Sequence, residues 1–472
     1  MKKIYNIPRI GILLSFMLVF LMSSCKDDLP GAIDTSDKET ILTGIRILNA
    51  GANGSTIVEG TINEETKEVS FPRIDPETNV SAMRLEAEAA GGATLEFDVY
   101  DFGFDEGDAQ KTIVVRLMNE PRFREYFVTL RLNVPVFGAD FSKAIPYDFS
   151  NNATIYPGAT ATVRGSAFNG EYVLIVERTN NAPHLLRLSD LKEGRVEPIY
   201  LNNTGIGGGT FTLHSGAMVR EHIYAASLSG GQVSPLNIYH WTDPTQAPTV
   251  ININVANIPG AGVRHGDNMS VSLDQDGNGY MYFGDNAGTS ILRFTVSAYT
   301  NVSAPTVIAP PVAGAGAWIT YNWIEGTDQY VYTGHDAPIY IVNASGASAY
   351  NLSRTAIPVR GMDARIFNFN GERYLLMLTG ARTGSEATVL SVYNITRGAT
   401  VVEALQNFAA LPERQAVYER SLGGPVNINP ATQTGFYIQK DAEGNDETLF
   451  VYGSSFTAGF VVVEIPKSTL DD

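Results

Sequence analysis

Apolar and polar residues alternate in short runs between residues 40 and 137. In the run EYFVTLRLNV, one face of an extended chain carries only apolar side chains, namely Tyr126, Val128, Leu130 and Leu132. An alternation with a period of two is typical of a strand that has one buried face. Seven such runs are separated by turn residues, which predicts a small immunoglobulin-like β-sandwich over residues 40–137.

From residue 160 onward, the pattern changes to a repeated unit in which a turn is followed by an apolar strand. Six copies begin near residues 169, 220, 277, 326, 370 and 433, and each is followed by a second apolar strand. Gly and Pro mark the junctions, and we find no helical periodicity in this region. A sheet unit that recurs at such intervals is typical of a propeller blade.

The fold class that these patterns predict is all-β, with the small sandwich followed by a β-propeller over residues 160–468. Six blades are expected, and residues 138–159 form either a linker or an additional strand that helps to close the ring. A series of two-sheet sandwiches is the alternative interpretation of the same repeats.

The first 24 residues have the features of an export signal. They combine a basic start, an apolar segment of thirteen residues (IGILLSFMLVFLM) and two small residues, Ser23 and Ser24, before a cleavage point. The apolar segment is too short to span a bilayer, which requires about 20 residues. We therefore expect a signal peptide over residues 1–24.

Cys25 follows this signal and is the only cysteine of the chain. A cysteine directly after small residues resembles the lipobox of bacterial lipoproteins, in which the thiol is acylated. The following KDD resembles the surface-export tag of Bacteroidota lipoproteins. The resemblance implies a lipid anchor in the outer membrane, a flexible linker over residues 25–39 and a protein that faces the cell exterior. An ordinary signal with a chance cysteine is the alternative.

Lipobox, sandwich and repeated blades together resemble an uncharacterised family of Bacteroidota outer-membrane lipoproteins. The resemblance implies that the sandwich acts as a spacer and that the propeller follows it. It brings no established activity, so no catalytic residue is carried over from it.

Charge and composition narrow the set of partners. The chain has 50 acidic and 33 basic residues and a formal net charge of −17, whereas nucleic acids bind basic patches, so no nucleic acid is expected. The six histidines show no paired metal spacing, and no phosphate-binding glycine loop is found, so neither a metal nor a cofactor is expected. DQDGNG at residues 274–279 resembles half of a calcium loop, but its position between two strands favours a hairpin turn.

Ligands of propellers commonly bind at the mouth of the central channel, among the loops that enter the inner strands and those that join the second and third strands. The candidate ligand-binding residues in these loops are Arg264, His265, Asp267, Asp285, Asn286, Trp318, Tyr321, Trp323, His335, Asp336, Arg360 and Arg382. Arginine pairs with carboxylates through two hydrogen bonds, and aromatic rings pack on sugar rings, so the set suits an acidic or neutral glycan.

Arginine follows valine at Arg164, Arg264 and Arg360, about two repeats apart each time. Three arginines could therefore surround the channel. Their distances from the next turn differ, however, so they need not lie at the same height.

Our leading hypothesis is a non-catalytic surface protein that binds a glycan or another extracellular ligand at the channel mouth. The alternative is a polysaccharide lyase or hydrolase, with His265 or His335 as the base, Tyr321 as the acid and Arg264 or Arg360 neutralising a uronate. A third hypothesis is a scaffold in an outer-membrane complex, with an outer-membrane transport protein as its partner.

Overall fold

The structure is a computed structural model that describes residues 39–105, 108–151, 162–178, 183–230, 234–262, 264–357, 361–384, 386–429 and 431–469. The predicted signal peptide and Cys25 lie outside these residues, and so does Arg360. Half of the chain is strand and 7% is helix, which confirms the predicted all-β class. Among the described residues, no helix has the length and apolar character that spanning a bilayer requires.

The chain divides into two compact units, with the border between Pro135 and Val136. In unit 1 the strands are β1 (Leu42–Ala50), β2 (Thr56–Glu59), β3 (Thr61–Asn63), β4 (Glu68–Ser70), β5 (Met83–Ala89), β6 (Thr94–Leu95), β7 (Val99–Tyr100), β8 (Gln110–Asn119) and β9 (Arg122–Arg131). They form two sheets in the described residues, with strand orders β2-β1-β5-β7 and β3-β4-β9-β8-β6.

The core of unit 1 contains the apolar face that the alternation predicts. Tyr126, Val128 and Leu130 in β9 are buried, together with Ile47 of β1 and Leu117 of β8. The pairing of β4 with β9 is parallel, whereas the other strand pairs of this unit are antiparallel. The immunoglobulin-like topology stays a prediction.

The first strand of unit 2 is β10 (Ile145–Asp148), and the strands that follow form a series of small sheets. The next strands are β11 (Val163–Phe168), β12 (Tyr172–Glu177), β13 (His184–Arg187), β14 (Pro198–Tyr200), β15 (Phe211–Val219), β16 (His222–Leu228), β17 (Leu236–Trp241), β18 (Thr249–Ile253), β19 (Ser270–Leu273), β20 (Gly279–Gly284), β21 (Ile291–Ser297), β22 (Asn301–Val302) and β23 (Thr306–Ile308). The remaining strands are β24 (Thr320–Trp323), β25 (Gln329–Gly334), β26 (Ala337–Asn343), β27 (Ser348–Leu352), β28 (Gly361–Phe369), β29 (Glu372–Thr379), β30 (Val389–Asn394), β31 (Tyr418–Ser421), β32 (Thr432–Lys440), β33 (Asp446–Ser455) and β34 (Gly459–Pro466).

Helices are few in the described residues. The α-helices are α1 (Leu188–Lys192) and α2 (Val401–Ala410), and the 3-10 helices are Val80–Ala82, Ala90–Gly92, Phe141–Lys143 and Val255–Asn257. Helix α2 contradicts the prediction that helical periodicity is absent from the repeats. Thr400 caps its first turn by accepting a hydrogen bond from the Glu403 amide, and Leu405 and Phe408 pack into the core.

The described strands of unit 2 form six antiparallel sheets, each with four principal strands. Five sheets use consecutive strands, starting at β11, β15, β19, β24 and β28, whereas the sixth has the order β10-β34-β33-β32. We call β11, β15, β19, β24, β28 and β32 the inner strands. Each inner strand contacts the next one along the chain, and β32 contacts β11, so the contacts return to the first sheet.

Close packing of the inner strands depends on glycine where β11 meets β15. A Cβ atom at Gly165 would lie 2.5 Å from the Gly216 nitrogen and 2.7 Å from the Ser215 carbonyl carbon. Both neighbours are backbone atoms, which cannot rotate away as the end of a side chain can. Any side chain at position 165 therefore pushes the two sheets apart.

We expect Gly165→Ala to lower the free energy of unfolding by about 1–3 kcal/mol, because it overpacks the contact between two inner strands. Urea denaturation of the purified protein measures this change. Gly207→Ala is the matched control, since no atom lies within 4 Å of a Cβ at that position. Equal midpoints for the two variants would contradict the proposed packing constraint.

Candidate functional site

A cavity of about 470 Å³ lies at the end of unit 2 where the inner strands begin. We call it the arginine cavity, because Arg164, Arg178 and Arg264 line it. Among the described residues of its wall, Asp267 is the one acidic side chain. Three guanidinium groups thus face one carboxylate, in a protein whose net charge is strongly negative.

Arg164 is the second residue of β11, which places its side chain at the cavity. Its guanidinium lies 4.0 Å from the ring centre of Phe456, and its Nη1 donates to the Asn429 carbonyl oxygen at 2.9 Å. Its Nε is buried and has no hydrogen-bond partner in the described structure. The side chain is therefore held in position while its Nε donor remains unused.

Arg178 follows β12 directly and is fixed against His214 of β15. The Arg178 Nε donates to His214 Nδ1 at 2.9 Å, and the guanidinium lies 4.2 Å from the Phe211 ring centre. His214 is 1% exposed; burial, assisted by Arg178, lowers its pKa well below the usual value. His214 is thus neutral at pH 7, as an acceptor for Arg178 must be. Burial also lowers the pKa of Arg178, to about 10, which leaves it charged at pH 7.

Arg264 and Asp267 form an ion pair in the loop that enters β19. Their Nη2 and Oδ1 atoms are 2.5 Å apart, and His214 Nε2 lies 3.8 Å from the same Asp267 oxygen. The other oxygen, Oδ2, and the Arg264 Nε are buried without a hydrogen-bond partner in the described structure. Burial raises the pKa of Asp267, while Arg264 opposes that effect. The ion pair between Arg264 and Asp267 therefore leaves two buried polar atoms, one on each side chain, without a hydrogen bond.

Three other predicted residues line the same cavity: Asn286, Trp318 and His335. Trp318 is 3% exposed, donates from Nε1 to the Thr432 carbonyl oxygen at 2.9 Å and lies parallel to the His335 ring. It closes part of the wall, and its exposure is too small for the stacking surface that we predicted from the sequence.

His265 and Asp285 are buried beneath the surface and do not line the cavity. The His265 ring nitrogens lie 3.1 Å and 3.0 Å from the carbonyl oxygens of Phe283 and Gly262, and burial lowers its pKa. Asp285 accepts hydrogen bonds from the Thr289 amide and the Ser290 hydroxyl. Both side chains stabilise their loops, so their predicted ligand contact is wrong for this structure.

Tyr321 is fully buried, with its ring 4.0 Å from that of Tyr282, so its predicted role as an exposed aromatic surface is wrong. Asp336 and Arg382 form an ion pair of 2.8 Å outside the lining of the arginine cavity. Trp323 lines a second cavity of about 1040 Å³ at the opposite ends of the inner strands, which we call the wide cavity. The eleven predicted residues that the structure describes therefore do not converge on one site.

The predicted hairpin at Asp274 is present, because the Asp274 carboxylate accepts from the amides of Asp276 and Asn278 within a turn. In the described part of the chain, no cluster of three or more acidic, histidine or cysteine side chains is arranged to hold a metal ion.

Sequence reasoning missed Arg178 and His214 and did not include Arg164 in the predicted set. Arg178 comes one residue after the apolar run VLIV, and His214 interrupts the apolar pattern of an inner strand. A charged or polar residue where an apolar run begins or ends is the signal that could have identified them.

The match to a family model covers residues 27–468, and that family is described as a domain of unknown function, DUF4623. A DUF4623 family protein from Bacteroides eggerthii is 40% identical, with a TM-score of 0.80 over 91% of this chain and 99% of that one. A comparison with curated proteins finds no match.

Two more distant similarities have TM-scores below 0.5. The WD40 β-propeller domain of Doa1 is 10% identical, with a TM-score of 0.35 over 77% of this chain and 90% of that one. The WD40 domain of Toxoplasma gondii coronin is 11% identical, with a TM-score of 0.31 over 72% of this chain and 88% of that one. Scores this low leave both as distant likenesses. The family match over most of the chain shows that this protein belongs to the DUF4623 family.

Proposed function

We propose that this protein is a lipid-anchored cell-surface protein that binds an acidic carbohydrate, without cleaving it, in the arginine cavity. The observation that carries the proposal is the excess of guanidinium groups over carboxylates in the cavity wall. Guanidinium groups pair with the carboxylates of uronic acids and with sulfate groups through charge-assisted hydrogen bonds. A glycan that carries such groups is the ligand that this wall fits.

In this proposal, the six sheets of unit 2 form a six-bladed β-propeller and unit 1 is an immunoglobulin-like spacer. The cyclic contacts of the inner strands and the pairing of β10 with β34 support the first part. The two packed sheets of unit 1 support the second. The lipid anchor at Cys25 and the outward-facing location rest on the sequence.

The unused donors of the cavity favour binding of an anion. The Nε atoms of Arg164 and Arg264 lack partners, and buried donors without partners raise the free energy of the empty protein. An anionic ligand would supply acceptors at these positions. Each charge-assisted hydrogen bond contributes about 1.5–3 kcal/mol.

Binding without catalysis is favoured because the proposed acid and base do not meet. Tyr321 and His265 are buried in separate hydrogen-bond networks. His214 is near Arg178 and Asp267, but its ring is 1% exposed, which leaves it too deep to take a proton from a bound sugar. A polysaccharide lyase or hydrolase would require an acid other than Tyr321.

A protein scaffold is the second candidate, and one feature of unit 1 favours it. Val114 of β8 and Phe127 of β9 are directly paired, and each is about half exposed. Phe123, further along the same hairpin, is 57% exposed. Exposed apolar side chains on one sheet surface are typical of protein docking sites. A protein partner there is compatible with ligand binding in unit 2.

We expect Arg164→Gln to weaken the binding of trigalacturonate by about 10- to 100-fold, because it removes one charged donor from the cavity. Isothermal titration calorimetry measures the affinity, with neutral cellotriose as the uncharged comparison. Arg382→Gln is the matched control, because Arg382 pairs with Asp336 outside the cavity and its loss should leave the affinity unchanged.

Wild-type affinities that are equal for trigalacturonate and cellotriose would contradict the proposed anion selectivity. A reducing-end assay on the same samples tests the absence of cleavage. Release of new reducing ends would replace the binding proposal with an enzymatic one.

We expect Asp267→Asn to raise the affinity for a sulfated trisaccharide about tenfold at pH 7, because it removes the carboxylate that competes for Arg264. In the wild type, the raised pKa of Asp267 means that protonation removes the same competitor as the pH falls. The wild-type affinity should therefore rise as the pH is lowered from neutral towards the raised pKa of Asp267. The Asn variant should lose this pH dependence; weaker binding by Asp267→Asn would show that Asp267 contacts the ligand directly.

A further inference from the structure

The wide cavity extends along the inner strands, from Asn268 just before β19 to the turns that follow the strands at the end opposite to the arginine cavity. The inner strands run from one cavity to the other: Arg164 near the start of β11 lines the arginine cavity, and Phe168 at its end lines the wide cavity. The volume of the wide cavity, about 1040 Å³, is large enough for a compound of two or three sugar or amino-acid units.

Arg365 of β28 lines this cavity and is anchored by one of its three nitrogens. Its Nε donates to the Thr434 carbonyl oxygen at 2.9 Å and lies 3.2 Å from the Thr434 hydroxyl. Within the described residues, neither terminal nitrogen of this guanidinium, Nη1 or Nη2, has a hydrogen bond. The Arg365 side chain is therefore held through Nε. Its Nη1 and Nη2 donors, which can form two parallel hydrogen bonds to a carboxylate, remain unused.

Asp363, the acid closest in sequence, does not neutralise Arg365 by direct contact. Its Oδ1 accepts from Asn322 Nδ2 at 2.7 Å and its Oδ2 accepts from the Thr434 amide at 2.7 Å. Among the described residues, Arg365 has no ion pair within 4.0 Å. The carboxylate of Asp363 thus joins neighbouring inner strands and leaves the arginine available for a ligand.

The remaining wall and rim limit what the ligand can carry. Asn268 is 4% exposed, lines the cavity, and has a buried Oδ1 without a donor in the described structure. That oxygen can accept from an N–H or O–H group of a ligand. The rim has more acids than bases: Asp274, Asp276, Glu325 and Asp446 against Arg220 and Lys440. Lys440 is already paired with Asp446 at 3.1 Å. This excess of acids would repel a compound with several negative charges.

We propose that the wide cavity is a second ligand site, in which Arg365 binds one terminal carboxylate of a compound that has no further negative charge. The terminal nitrogens of Arg365 form two parallel hydrogen bonds to that carboxylate, and Asn268 accepts a hydrogen bond from a neighbouring N–H or O–H group. A sugar acid and the carboxyl end of a short peptide both carry this chemistry. The site is separate from the arginine cavity and does not depend on the function proposed for it.

The test uses three probes with the purified soluble protein: glucuronic acid, the tripeptide Gly-Gly-Lys and the same tripeptide with an amidated carboxyl end. We expect at least one free carboxylate to bind, and the amidated peptide to bind at least about tenfold more weakly than the free peptide if the peptide is the ligand. Glucuronic acid binding alone would assign the site to sugar acids. Absence of binding by both carboxylates would overturn the proposal.

Arg365→Gln should weaken binding of the carboxylate probe by about 10- to 100-fold. Since Arg365 also anchors Thr434, a second variant tests the site without that contact. Asn368 is exposed and lines the cavity, so Asn368→Asp adds a repelling charge and Asn368→Ser is its neutral control. We expect weaker binding only for the Asp variant.

Retained trigalacturonate binding shows that the variants are folded, provided that the arginine cavity binds it. The urea unfolding midpoint provides the same control without that assumption. Folded Arg365→Gln and Asn368→Asp proteins with wild-type affinity for the carboxylate would overturn the proposal. Loss of carboxylate binding by Arg164→Gln, with Arg365→Gln unaffected, would place the carboxylate in the arginine cavity and would also overturn it.

Discussion

The pairing of β10 with β34 is the interaction on which the arrangement of unit 2 depends, because it joins residues from the start and the end of the unit in one sheet. Tyr147 donates to the Glu464 carboxylate across this pair at 2.7 Å, and Arg420 of the fifth sheet binds Asp148. With the first and last strands held together, the six inner strands can pack in cyclic order. The two cavities lie at the ends of this packed set, so their walls depend on the same pairing.

Charge is distributed differently at the two ends. The arginine cavity has several guanidinium groups and one carboxylate in the described part of its wall, whereas the wide cavity has a deep arginine and an acidic rim. Neither arrangement follows from the net charge of −17, which describes the surface as a whole. Each cavity wall has a local excess of positively or negatively charged side chains, which packing and backbone hydrogen bonds hold in place. This local excess determines which ligand groups the cavity can accept.

The sequence predicts the all-β class because strand alternation is a local property, visible in runs such as that around Tyr126. It also locates the wall of the arginine cavity in loops that enter the inner strands, as for Arg264, and loops after the second strands, as for Asn286. It cannot predict side-chain direction within those loops, because one residue of shift turns a side chain from the cavity to the core. Arg264 and His265 are adjacent, yet Arg264 pairs with Asp267 in the cavity wall whereas the His265 ring is buried beside backbone carbonyl oxygens. Helix α2 was missed because it lies in a connection between β30 and β31, outside the repeated pattern.

All six inner strands run in the same direction, so the two ends of unit 2 are built from different classes of connection. The turns that follow the inner strands, including those at Arg220, Asp274 and Glu325, line the wide cavity alone. Insertions in these turns would reshape one end while leaving the other intact. The chemistry of the two ends can therefore change independently, while the same inner strands support both.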